Sequence, residues 1–186
     1  MRITPIPLMS KLSPCVVLAI APGTRHLGFA LMEGKEVIRY GVKAFPGRKS
    51  PRKLWTTARR FLEKLLRSYR PRVLVVQDVY YAQRRLCPQL RELTARMKRG
   101  GKGRGLRTRR FLPIKVKERL CPAMPTRRSL AQAIVRRHRF LSFYLKSKER
   151  PPYWLQMFDA VALGAVTVEG TTRAKLSGHP RKSRVC

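Results

Sequence analysis

The apolar positions of the chain fall into short blocks separated by Gly, Pro and charged residues. Residues 15–21 are a near-continuous apolar run, the pattern of a central strand buried on both faces. Pro22, Gly23 and Thr24 break it, and apolar character resumes from Leu27 to Leu31. After the turn-like EGKE at 33–36, residues 37–45 alternate as VIRYGVKAF. These blocks predict a three-stranded antiparallel meander. Ser50 and Pro51 then read as an N-cap and first helical residue. Leu54, Ala58, Phe61, Leu62, Leu65, Leu66 and Tyr69 follow at helical spacing, with Arg52, Lys53, Arg59, Arg60, Lys64 and Arg67 between them, and Pro71 ends the helix. Residues 73–81, VLVVQDVYY, are a second buried strand, and the helix before it predicts parallel pairing with the first.

Further along, residues 88–97 predict a short helix with Leu90, Leu93 and Met97 on one side. Residues 98–110, KRGGKGRGLRTRR, hold seven basic residues and four glycines with little to bury, and read as a flexible polycationic loop. FLPIKVKERLC at 111–121 looks strand-like. Thr126 caps a helix carrying Leu130, Ile134, Val135 and Leu141, and KSKERPP at 146–152 is a linker. A last helix, about Tyr153 to Val168, is apolar nearly all round and contains one acid, Asp159. No internal repeat is present. The pattern implies an extension over residues 1–13, one α/β domain over 14–170, and a basic tail over 171–186.

Charge changes the picture most. The 186 residues include 43 Lys and Arg against 9 Asp and Glu, a formal net charge of +34, while 44% are hydrophobic. A core is available, but such a charge opposes compaction unless a polyanion neutralises it, which points to nucleic acid as partner. No basic amphipathic helix stands apart from the core and no apolar run is long enough to span a bilayer, so a membrane is not the expected partner. The apolar run from Pro14 is followed at once by a second strand pattern, and so reads as core and not as a leader. Cys15, Cys87, Cys121 and Cys186 are far apart and form no metal-binding motif, consistent with reduced thiols. The expected location is inside the cell, cytoplasmic and nucleoid-associated, with an organelle left open.

Three segments together resemble one family. LAIAPGTRHLGFAL at 18–31 is similar to the first-strand motif of RuvC-type Holliday-junction resolvases, in which the strand ends in Asp before Pro-Gly. VLVVQDVYY resembles their fourth-strand motif, where a Glu follows an apolar run, and MFDAVALGAV at 157–166 resembles their C-terminal helix motif. The resemblance implies an RNase H-like fold, with three antiparallel strands and parallel strands in one mixed sheet flanked by helices. It also implies a structure-selective endonuclease that cuts branched DNA with magnesium or manganese. In that chemistry carboxylates from separate elements hold two magnesium ions about 4 Å apart, one activating water and the other stabilising the leaving oxygen.

Carried across position by position, the family's catalytic acids fall on Ala21, Gln77 and Asp159. An alanine and a glutamine replace two of the three acids, so the resemblance implies a form inactivated at Ala21 and Gln77, with metal binding at Asp159 weak or lost. Asp78 is a neighbouring metal-ligand candidate, but strand alternation aims it to the other face unless a bulge intervenes. An Asp amid Ala, Val and Leu needs a partner if buried, which leaves a residual metal site or an Arg contact. Candidate nucleic-acid contacts are Arg25 and His26 in the first turn, and Tyr80, Tyr81, Arg84 and Arg85 after the fourth strand. Lys98, Arg99, Lys102, Arg104, Arg107, Arg109 and Arg110 complete the set in the basic run. Trp154 is read as core. Branched DNA is favoured over RNA, and the resemblance also implies a homodimer. The alternative from another class is a non-catalytic RNase H-like nucleic-acid-binding subunit of a ribonucleoprotein or nuclease assembly.

Overall fold

The computed structural model describes residues 15–23, 25–45, 50–78, 88–146 and 154–176. Strands β1 (Val16–Pro22), β2 (His26–Glu33) and β3 (Glu36–Ala44) form the expected meander, with Gly34 at φ +57° turning the β2–β3 hairpin. Helix α1 (Pro51–Tyr69) is capped by the Ser50 hydroxyl, which accepts from Lys53 N at 3.4 Å, and closes at Arg70 in the left-handed conformation. Strand β4 (Val73–Gln77) pairs parallel with β1, as the intervening helix requires.

The basic run after residue 97 departs from the flexible loop expected of it. Helix α2 (Pro88–Lys102) extends through its first five residues, and β5 (Arg107–Phe111) pairs parallel with β4. Two physical reasons account for this. Leu93 and Met97 are buried on the sheet, and glycine at 101 lets the end of α2 come so close that a Cβ there would lie 2.6 Å from Leu74 Cδ2. Strand β5 needs no apolar alternation, because its backbone is held by β4 and, as an edge strand, it tolerates exposed arginines that discourage pairing with another chain. The sheet order is β3-β2-β1-β4-β5.

Residues 111–121 are likewise not a strand beyond Phe111. Helix α3 (Pro113–Leu120) starts on a proline at its first turn and buries Val116, with Leu120 one turn on packed against the same core. Helix α4 (Arg127–Arg137) has the expected Thr126 cap, whose hydroxyl accepts from Ser129 N at 3.1 Å. It ends before Leu141, which sits in a 3-10 turn (Arg139–Leu141) leading into α5 (Ser142–Lys146). The last helix, α6 (Leu155–Leu176), continues past Thr171, so the helix takes in the first part of the expected tail. Residues 1–13, most of the 146–152 linker and the end of the tail lie outside the described residues.

The two faces of the sheet bury separate cores. Leu18, Ile20, Leu27, Leu31, Leu74 and Val76 face α1 and α2, while Val17, Ala19, Ala21, Val73 and Val75 face α6, α3 and α4. Helix α6 lies unusually close to the sheet. A Cβ on Gly28 would sit 2.0 Å from the Gln156 carbonyl oxygen, and one on Gly164 would sit 2.5 Å from Met32 Sδ. Gly28→Ala is therefore expected to destabilise the fold by about 1–3 kcal/mol through overpacking against backbone. Gly103→Ala, where a Cβ meets only an ordinary 3.5 Å contact, should change stability by less than about 0.5 kcal/mol. Urea unfolding of the two variants checks the contrast.

Candidate functional site

The carboxyl ends of β1 and β4 form one end of the site. Ala21 pairs with Gly28, and Gln77 pairs with Phe111. The parallel register runs through Ile20 opposite Val76, so its next step sets Ala21 beside Gln77. Both belong by alternation to the sheet face that α6 covers. The start of α6 rests on this row: Gln156 lies over Gly23 and Gly28, and a Cβ on Gly23 would be 2.2 Å from Gln156 Nε2. The Gln156 Oε1 atom is buried and finds no hydrogen-bond partner among the described residues. One turn further on, Asp159 is buried at 5% exposure.

The partner that buried Asp159 requires is an arginine. Arg127, in the first turn of α4, donates to Asp159 Oδ2 from Nε at 3.1 Å and from Nη2 at 2.5 Å. Burial pushes the Asp159 carboxyl above its ordinary range, and the Arg127 guanidinium and more distant Lys117 ammonium pull it back. Of the three positions singled out by the sequence, 21 is thus a methyl, 77 a neutral amide, and 159 a carboxylate already engaged by a cation. Among the described residues, no three His, Cys, Asp or Glu side chains gather where they could share a metal ion. Two magnesium ions need several hard anionic oxygens, and the residues present do not fit them.

Asp78 is held by Arg110 Nη1 at 3.4 Å, and Arg110 is the strand neighbour of Val76, which belongs to the core under α1 and α2. Arg25 and His26 enter β2 at the same end of the sheet as Ala21, with the Arg25 carbonyl accepting from Phe45 N. Tyr80, Tyr81, Arg84 and Arg85 lie outside the described residues. In the basic run Arg99 and Arg104 are paired with Glu92 and Glu63, whereas Lys98, Lys102 and Arg107 have no acidic partner among the described residues. Trp154 packs on Tyr144, ring centroids 4.6 Å apart, at the edge of the core.

Among solved structures, this arrangement is similar to Thermus thermophilus RuvC in complex with Holliday junction substrate. The TM-score is 0.65 at 18% identity, over 85% of this chain and 96% of that one. A second Thermus thermophilus RuvC structure gives 0.62 at 19% identity, over 87% and 96%. The yeast mitochondrial Holliday junction resolvase Ydc2 gives 0.60 at 12% identity, over 90% and 83%. The fold is RuvC-type and RNase H-like. No family model matches the sequence, and no curated protein is significantly similar to it.

Within the RuvC-type fold, sequence reasoning missed Arg127 and Gln156. Arg127 lies 32 residues from Asp159, and nothing local marks which of the many arginines closes that pair. Gln156 stands three residues before Asp159, a spacing that sets two helical side chains on one side, and that was the available signal.

Removing the guanidinium leaves a buried carboxylate alone, so Arg127→Ala should lower stability at neutral pH by about 1–3 kcal/mol. The native Asp159 carboxyl holds its proton more tightly than in the unfolded chain, and more so without Arg127. Protonation therefore favours the native state as pH falls from above the raised value toward the ordinary carboxylate range. Urea unfolding should show the deficit of Arg127→Ala shrinking over that interval, and Asp159→Asn in the same background should recover part of it at neutral pH.

Proposed function

We propose that this chain binds branched nucleic acid, DNA in preference to RNA, on a RuvC-type scaffold whose hydrolytic centre has been dismantled. The observation that supports this reading most directly is the row Gly28, Ala21, Gln77 at the start of α6, together with the guanidinium that stands on the carboxylate of Asp159 one turn further along that helix. Ala21 offers no ligand, Gln77 offers only a neutral oxygen, and Arg127 supplies beside Asp159 the positive charge that a metal ion supplies in a two-metal site. The similar solved structures include a resolvase bound to its junction substrate, which supports a branched partner.

The chain's own residues suit binding without cutting. Lys98, Lys102 and Arg107 stand on a rigid helix and strand, so they can meet phosphates without the ordering entropy that a loose arm would lose. Arg25 and His26 present cationic and hydrogen-bonding groups beside the vacated corner. Phosphate contacts of this kind position the nucleic acid and carry no sequence preference. Under this reading the chain acts as a homodimer or as the binding subunit of a larger assembly, and occupies a junction without resolving it.

The test is binding and cleavage of a four-way junction in the presence of magnesium or manganese. The expected result is tighter binding to the junction than to a duplex of the same length, with both left uncut. If 6 to 10 phosphates are neutralised, affinity should fall about a thousandfold or more between 50 and 200 mM salt. The variant Ala21→Asp/Gln77→Glu/Arg127→Ala restores the acids and frees Asp159, and its melting temperature should rise with added manganese where the parent's does not. Metal-dependent cutting by the unmodified chain, or equal affinity for junction and duplex, would overturn the reading.

A further inference from the structure

On the sheet face opposite the vacated site, helix α1 covers β1 and β2 but leaves β3 uncovered at the sheet edge. The gap is an open groove of about 690 Å³. One wall is the sheet, with Arg39 and Lys43 on β3 and Phe29 on β2; the other is α1, with Arg60, Phe61 and Lys64 and with Tyr69 at its end. Gly41 stands between the two cations of β3, and the Phe29 ring lies over it, at 3.1 Å from where a Cβ would be. Phe29 and Phe61 meet edge to face, with centroids 5.1 Å apart.

The charge in this groove is not compensated. Arg39, Lys43, Arg60 and Lys64 are exposed, have no acidic partner among the described residues, and share the groove with no Asp or Glu. The neighbouring groove between α1 and α2 shows the contrast. It holds four arginines as well, but Glu63 accepts from Arg59 and Arg104 at 2.9 Å each, and Glu92 pairs with Arg96 and Arg99. The chain has only nine acids, and two of them neutralise one groove while none lines the other. Cations that can track a backbone, together with aromatic side chains in the walls of an open trough, match the chemistry that recognises single strands.

We infer that the groove between α1 and β3 is a second binding site that takes single-stranded nucleic acid, with phosphates on Arg39, Lys43, Arg60 and Lys64 and a base against Phe61. It lies on the other sheet face from the row at Ala21, so the two sites can be occupied together and fail separately. A junction or fork with an unpaired arm would then be held at two places.

The test uses the full chain and an oligothymidylate of about ten nucleotides, within the usual site size for such binders. Arg60→Gln/Lys64→Gln, both exposed on α1, should weaken oligothymidylate binding at least about tenfold at low salt. Its salt slope should fall by about 1.4, since each single-strand phosphate contact contributes about 0.7. Phe61→Leu keeps an apolar side chain against Phe29 and should weaken oligothymidylate about fivefold or more, while leaving heparin binding unchanged. Both variants should keep the parent affinity for a fully paired four-way junction, and Arg60→Gln/Lys64→Gln the parent melting temperature, while Phe61→Leu lowers it only by the few degrees that the lost pairing with Phe29 implies. The inference is overturned if oligothymidylate binding survives the double substitution, if Phe61→Leu leaves it unchanged or reduces heparin equally, or if junction affinity falls in parallel. Competition by a mononucleotide as effective as the oligomer would also overturn it, in favour of a nucleotide pocket.

Discussion

The close approach of α6 to the sheet is the constraint on which the rest of the structure depends. The helix is apolar nearly all round over its first half and buried from Met157 to Thr167, so it needs partners on several sides at once: the sheet beneath it and α3 and α4 beside it. Glycine at 28 and at 164 permits this contact, because a methyl at either place would enter the opposing backbone or side chain. Once the helix is seated, Asp159 is carried out of water with it. A carboxylate in that position must be neutralised or partnered. The first turn of α4, held by the Thr126 cap, delivers Arg127 to it.

The Arg127 contact links packing to function. A site made of converging carboxylates repels itself and is held together by the cations it binds. Here the repulsion is absent, since Ala21 and Gln77 carry no charge, and the single remaining acid is satisfied from within the chain. The start of α6 can therefore close over the ends of β1 and β2, with Gln156 laid across Gly23. Basic charge dominates the outside instead, and its distribution is uneven. Acids are so few that each one decides whether a nearby group of arginines is internally paired or left for a ligand.

Sequence patterns revealed most of the framework. The meander, the Ser50 and Thr126 caps and the apolar last helix follow from periodicity and capping chemistry, because each is set by neighbours within a few residues, and the parallel pairing of β4 with β1 follows from the helix between them. The basic run was misleading for an equally physical reason. Charged and glycine-rich residues usually lack anything to bury, yet the end of α2 is fixed by Leu93, Met97 and the closeness that Gly101 allows, and β5 is held by backbone hydrogen bonds that no side-chain pattern reports. Helix α3 was hidden because β-branched residues and a proline resemble a strand until α6 offers Val116 a surface to pack on.

By itself, the sequence determined which chemistry is present at three positions: a methyl at 21, an amide at 77 and a carboxylate at 159. No fold can add a charge that the residues lack, so the poverty of metal ligands is legible in the residue types alone. Only the tertiary structure decided what became of the acid that remained and of the surplus cations. Arg127 reaches Asp159 across 32 residues and Arg104 reaches Glu63 across 41, while Arg39, Lys43, Arg60 and Lys64 are left beside aromatic rings. Those pairings depend on distances of a few ångströms between elements far apart in the chain, which local residue patterns do not encode.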